Sequence, residues 1–242
     1  MFMKLSLRIA AGAFFAAAAL PAMAADLPTR AAAPAPVMTY ETFDPWMIRV
    51  RAIGVLPDGT SKVSVGGAPY VNGLKISNTF VPEVDITYFF TKNIAVEAIC
   101  CVTPHKIKGS KALAGVGEIG ETLLFPPTIM LQYHFTNFGA FKPYIGVGVN
   151  WTHFFNNDAS APFNNLKIND SFGVAAQIGF DYMINRNWGI NVDVKRIMIR
   201  PDATVRLGLV PITAKVHIDP WVVGVGLTYR FGGGSGPVVA KY

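Results

Sequence analysis

The sequence predicts an all-β fold, an eight-stranded antiparallel transmembrane β-barrel, and three observations carry that prediction. The first is the stretch from Pro220 to Phe231. Trp221, Val223, Val225, Leu227, Tyr229 and Phe231 fall on one parity, and Val222, Gly224, Gly226, Thr228 and Arg230 on the other. A period of two is a strand. Its apolar parity is aromatic at both ends and aliphatic between, the profile of a lipid-facing strand with a girdle at each interface. The second observation is that this pattern recurs along the chain, with long loops alternating with short turns. The third is that 51% of residues are apolar and only 15% charged, yet beyond the N-terminal segment no run approaches the roughly 18 apolar residues of a spanning helix. A hydrophobic exported chain without helical spans is expected to cross as a barrel.

Export is read from the first residues. Lys4 and Arg8 precede an apolar run from Ile9 to Leu20, and Ala22-Met23-Ala24 forms a small-x-small cleavage site, so residues 1–24 are expected to be a signal peptide. Its removal takes two basic residues and no acidic ones, leaving 19 Lys plus Arg of 21 against 15 Asp plus Glu. So mild an excess, with no basic cluster interleaved with aromatics, predicts no nucleic-acid partner. Residues 25–45, rich in Ala and Pro with Pro28, Pro34 and Pro36, read as an N-terminal arm.

The barrel is expected over residues 46–231. Trp46 to Val55 is the first strand, with Arg49 and Arg51 on one parity; arginines facing lipid are costly, so that parity is the lumen. After a loop from Leu56 to Leu74, marked by Pro57-Asp58-Gly59 and Gly66-Gly67, the second strand runs from Phe80 to Phe90. It carries Val84, Ile86, Tyr88 and Phe90 outward and Glu83, Asp85 and Thr87 inward. Ile94 to Cys101 is the third strand, with Glu97 inward, and Val102 to Thr122 a second long loop. The fourth strand is read from Leu124 to Phe135 and the fifth from Pro143 to Phe155. Asn156 to Asp170 is the third long loop. Ser171 to Tyr182 and Trp188 to Ile199 are strands six and seven, and Arg200 to Lys215 is the last loop before Pro220 to Phe231. Short turns follow Phe90, Phe135 and Tyr182, and such turns belong on the periplasmic side. All four tryptophans, Trp46, Trp151, Trp188 and Trp221, share the outward parity. A soluble barrel would bury both girdles and expel Arg49, Arg51 and Asp193, against its own patterning.

Strand direction divides the inward parity into two levels. Toward the outside lie Ile53, Val81, Ile99, Leu124, Pro126, Phe154, Ile197 and Val222, an apolar lumen. Toward the periplasm lie Arg49, Arg51, Asp85, Gln132, His134, Asp181, Asp193 and Arg230, with Tyr144, a polar plug. Eight strands enclose a space that side chains can fill, so the lower level is expected to pair its charges. The upper level fits equally a pocket for an apolar molecule or a packed core.

Catalysis is not expected. His105 has Ser110 and Glu118 near it in sequence, but no motif fixes their geometry, and the segment Gly109 to Gly120 lacks the Gly-Lys-Ser or Gly-Lys-Thr of a phosphate loop. Cys100 and Cys101 are adjacent on a strand and point to opposite faces, without metal-ligand spacing. No metal and no cofactor are predicted.

The chain resembles the OmpW family of small outer-membrane barrels. The matching stretches are Trp46-Met47-Ile48-Arg49-Val50-Arg51, Pro126 to Phe135, Lys142 to Asn150, and Ile218-Asp219-Pro220-Trp221 leading to Tyr229-Arg230-Phe231. The resemblance implies eight strands in the bacterial outer membrane and a hydrophobic internal channel passing small apolar compounds, with a lateral exit into the membrane. It implies no enzyme activity and no cofactor. One departure is the Gly-rich tail, residues 232–242, after the last-strand aromatic that ends such barrels. The expected function is passive transport or binding of small hydrophobic molecules, with outer-membrane lipid as the surroundings. The alternatives are a structural or surface-interaction barrel acting through its loops, and a membrane-embedded lipid-modifying enzyme.

Overall fold

The computed structural model describes residues 44–66, 68–69 and 73–232. The expected signal peptide, the arm through residue 43 and the tail beyond Gly232 lie outside the described residues. In chain order the strands begin with β1 (Trp46–Leu56), β2 (Thr60–Val65), β3 (Ala68–Pro69), β4 (Leu74–Ile76), β5 (Thr79–Phe89) and β6 (Ile94–Cys100). A second group is β7 (Thr103–Gly109), β8 (Glu118–Phe125), β9 (Thr128–His134), β10 (Phe141–Ala159) and β11 (Phe163–Ile168). The last are β12 (Ser171–Met183), β13 (Trp188–Ile197), β14 (Asp202–Leu207), β15 (Val210–His217) and β16 (Trp221–Arg230).

Eight of these close the barrel in the order β1, β5, β6, β9, β10, β12, β13, β16, each antiparallel to its neighbours, with β16 returning to β1. Closure joins β16 to β1, so the first and last barrel strands both find partners, as lipid requires. The pleat sorts the faces as the alternation predicts. Val50, Ile86, Leu131, Val147, Val174 and Val225 stand exposed on the outside, while Arg49, Asp85, Gln132, Asn191 and Thr228 are buried inside. At the short-turn end Trp46 packs edge-on against Tyr88 at 4.8 Å, and Trp188 against Tyr229 at the same separation. At the other end Trp151 stacks near Phe172, and Arg196 sits over the Trp221 ring at 4.9 Å. These are the two girdles, and the aliphatic belt between them is the lipid face.

The four long loops are largely sheet, which the sequence reading did not foresee. The wall continues upward: β10 runs on to Ala159 and pairs with β8, β8 with β7, and β7 with β4. A second sheet, β11-β14-β15-β2-β3, stands across from it. Lys106 pairs with Glu118 and Glu121, and Lys108 with Glu118, on exposed surface, so this tier projects beyond the membrane into water. Three register shifts and many Gly, Pro and Asn residues blur its alternation, which is why it reads as loop. The strand expected from Leu124 to Phe135 is two, β8 and β9, broken at Pro126-Pro127 because proline has no N–H to give the ladder.

Glycines at inward positions make the room that the lumen side chains occupy. A Cβ on Gly226 would stand 2.0 Å from the Val50 carbonyl oxygen and 2.8 Å from Arg51 Cγ. Backbone cannot yield as a flexible side chain can, so Gly226→Ala is expected to destabilise the barrel by about 1 to 3 kcal/mol, the usual range for overpacking. The check is the urea midpoint of the folded, heat-modifiable band on a gel; an unchanged midpoint would contradict the tight fit.

Candidate functional site

All eight barrel strands send polar side chains into one buried layer. From β1, Arg49 reaches Asp181 with two donors, Nε at 3.0 Å and Nη2 at 2.7 Å, and its Nη1 donates to Glu97 at 2.9 Å and Thr87 at 3.1 Å. Two residues on, the pleat returns Arg51 to the same side. Its Nη2 lies 2.9 Å from Glu83, 2.5 Å from Asp85 and 3.2 Å from Glu97, and its Nη1 donates to Asn191 at 3.1 Å. Lys195 bridges Glu83 and Asp193 at 2.9 and 2.8 Å.

Neutral groups tie the layer together. Gln132 and Gln177 both donate to Glu97 Oε2, at 2.8 and 3.0 Å. Tyr144 donates to Asp193 at 2.8 Å, and Thr228 and Asn191 donate to Asp181 at 2.6 and 3.0 Å. His134 lies 2.9 Å from Gln132 through Nε2. Arg49 also sits over the Tyr144 ring at 4.9 Å. Arg49, Arg51, Glu97, Asn191 and Asp193 are at most 1% exposed. Charges so placed hold their ionised forms only by pairing. Three cations face five carboxylates, Glu83, Asp85, Glu97, Asp181 and Asp193.

Of the residues expected in a polar plug, Arg49, Arg51, Asp85, Gln132, His134, Asp181 and Asp193 meet in this network. Arg230 lies at the edge of the network. It lies half-buried at the periplasmic lip, over the Phe89 ring at 4.6 Å, with Nε donating to the Asp44 carbonyl. Two residues beyond Thr228 and opposite Met47, it sits below the centre of the network and beside the apolar floor of Met47, Phe89 and Ala95. The plug set omitted Glu83, Glu97, Gln177, Asn191 and Lys195. Their inward parity was readable, but their height was not, because it depends on how far adjacent strands are staggered.

Above the network lies one apolar cluster. Ile53, Ile99, Leu124, Phe154, Ile197 and Val222 belong to it, and Val81 packs against it. With Pro126, several of them enclose a pocket of only about 30 Å³, so at this level the side chains largely fill the lumen. Larger apolar space lies higher. An apolar cavity of about 330 Å³ sits between the two sheets of the extracellular tier, walled by residues such as Val63, Ile76, Ile119, Phe154, Leu166, Val205 and Val216. Leu124 and Ile218 lie between it and the small pocket, lining both. The wall beside this junction is incomplete. Pairing of β5 with β6 stops at Val84 opposite Cys100 and resumes on β4 and β7 at Ile76 opposite Ile107.

The groups weighed for hydrolysis do not converge. His105 turns Nδ1 to the Ser77 carbonyl at 2.7 Å, and Glu118 pairs with Lys106 and Lys108. Cys100 is exposed on the outer face and Cys101 half-buried toward the small pocket.

Comparison with known proteins agrees with this architecture. The model of the OmpW family matches residues 45–231. An uncharacterized outer-membrane protein, y4mB of Sinorhizobium fredii, is 44% identical over 220 residues, covering 90% of this chain and 93% of its own. The crystal structure of the outer membrane protein OprG from Pseudomonas aeruginosa superposes with a TM-score of 0.73 at 29% identity, over 78% of this chain and 97% of that one. A more distant relative, 26% identical over 80% of this chain and 92% of its own, is the dibenzothiophene metabolism operon protein PahQ of Pseudomonas aeruginosa. With the match spanning every barrel strand, and with a lipid-facing belt around a closed set of eight, the chain belongs to the OmpW family and is a bacterial outer-membrane β-barrel.

Proposed function

We propose that this barrel takes up small hydrophobic molecules from the outside, holds them in the extracellular-tier cavity, and releases them without passing them down the barrel axis. The observation that carries this reading is the stacking of an apolar cavity of about 330 Å³ on a buried, charge-paired network. Pockets of about 300 Å³ and more, lined mostly by apolar side chains, suit compact ligands. An apolar solute leaving the cavity downward would have to displace paired charges, whereas the stretch between the β5–β6 and β4–β7 pairings offers a way out through the side of the wall. The name of the relative PahQ ties that protein to metabolism of an apolar aromatic compound, which is consistent with the same ligand chemistry here. No catalytic step is part of this reading.

The test is to fill the cavity. Ala203 and Ala214 line it with small side chains, so Ala203→Trp with Ala214→Trp is expected to lower naphthalene binding by at least about tenfold, the cost of losing a fitted apolar site. Binding would be measured in proteoliposomes after subtracting partition into protein-free liposomes, with heat-modifiability as the check on folding. Unchanged binding at normal folded yield would refute the reading. A second reading, adhesion through the extracellular tier, draws on the exposed apolar tip at Leu207, Leu209 and Val210. Leu209→Asp would impair adhesion and leave naphthalene binding intact if both readings held.

A further inference from the structure

His105 is the residue that lines the extracellular-tier cavity, the small pocket beneath it, and an outer groove beside Ser77, Asn78 and Pro104. It belongs to the inward parity of β7, between Thr103 and Ile107, and is 2% exposed. Its tautomer follows from its partner. A carbonyl oxygen only accepts, so the Nδ1 that lies 2.7 Å from the Ser77 carbonyl carries the proton. Burial holds the imidazole below its usual range, against the opposing pull of that hydrogen bond, and the ring is neutral at pH 7. Nε2 is then a lone-pair acceptor. It lies at the end of the ring remote from Cβ, is buried, and has no hydrogen-bond partner among the described residues. The polar neighbour Thr122 does not serve it, since its hydroxyl is committed to Asn157 at 2.6 Å.

A buried acceptor without a donor is uncommon in folded proteins, and where it borders a ligand-sized space the missing donor can come from the ligand. We propose that His105 Nε2 is the polar anchor of this site, and that its preferred ligands are apolar molecules bearing one hydroxyl group, phenols or alcohols, which donate to Nε2 while the hydrocarbon body fills the cavity. The proposal rests on the reading of the cavity as a site for apolar solutes and narrows it to a chemical class. An ether or ketone of the same shape brings only acceptors and would set lone pair against lone pair. A pure hydrocarbon would leave Nε2 unsatisfied. Size permits a two-ring ligand, since an apolar cavity of about 150 Å³ accommodates benzene and this one is about 330 Å³.

The experiment compares 1-naphthol, 1-methoxynaphthalene and 1-methylnaphthalene by equilibrium dialysis against proteoliposomes, corrected with protein-free liposomes. A net hydrogen bond corresponds to roughly 3- to 10-fold in affinity, so 1-naphthol is expected to bind that much more tightly than the other two. In His105→Phe, which keeps a ring but removes the acceptor, the three should bind alike and 1-methylnaphthalene should bind as before. His105→Gln, which returns an acceptor oxygen, should recover part of the preference. The anchor is overturned if the unmutated protein binds all three equally, or if the preference for 1-naphthol survives in His105→Phe. The first comparison needs no variant, so a folding defect in His105→Phe leaves it decisive. Failure of all three compounds to bind would overturn the cavity reading itself.

Discussion

Replacing Arg49 and Arg51 together by Ala is expected to raise ion conductance through the barrel several-fold in planar bilayers while leaving uptake of apolar solutes nearly unchanged. The two guanidinium groups join Asp181, Glu97, Glu83 and Asp85 from three other strands, so they hold the network at its centre. Without them five carboxylates face Lys195 alone. An uncompensated buried charge costs about 3 to 5 kcal/mol when its partner is removed, and the available relief is entry of water and cations. The deleted side chains leave volume for both, and Gly224 and Gly226 beside them contribute none to refill it. The cavity in the extracellular tier shares no residue with these arginines, which is why solute uptake should hardly change. Should the double variant fail to assemble, Arg49→Gln with Asp181→Asn removes one buried pair without leaving a net charge. A conductance like that of an open pore in the unmutated protein would refute the closed axial path. So would loss of apolar uptake in the double variant at normal folded yield.

A second large effect is expected from charge on the lipid face. Val147 stands midway along β10, 64% exposed and flanked across the strands by Leu131 and Ala176. Val147→Arg sets a cation in the aliphatic belt, where arginine at mid-depth costs about 2 to 4 kcal/mol, and its folded yield in the membrane fraction should drop sharply. Gln177 lies at the same depth, opposite Gly146 on β10, but faces inward and donates to Glu97 at 3.0 Å. Gln177→Arg would add a cation to a layer in which carboxylates outnumber cations, so its loss should be the smaller of the two. Equal loss in both would mean that the two faces do not differ in surroundings as their exposure indicates.

The plug shows where sequence reading stops. Arg49 and Arg51 identify their parity as lumen because two arginines two residues apart cannot both face lipid, and the same reasoning turns Asp85, Asp181 and Asp193 inward. The partners are another matter. Arg49 meets Asp181 across 132 positions of chain, and Lys195 meets Glu83 across 112. Neither pair follows from alternation, which assigns a side and not a height. Arg230 carries the parity of the plug yet sits at the lip, over Phe89.

By itself the sequence determined the number of barrel strands, their membrane-facing side, the position of the girdles and the end bearing the short turns. These follow from a local period of two and from the cost of charge in hydrocarbon, both of which act residue by residue along each strand. Only the tertiary structure decided that the long loops pair into a second tier, that the apolar residues just above the plug fill their own space, and that the open cavity lies higher, against His105. Those features depend on strand stagger and on packing between sheets distant in sequence. There, outside the membrane, a face is free to be wet or dry, and the alternation that labels the lipid-embedded strands loses its force.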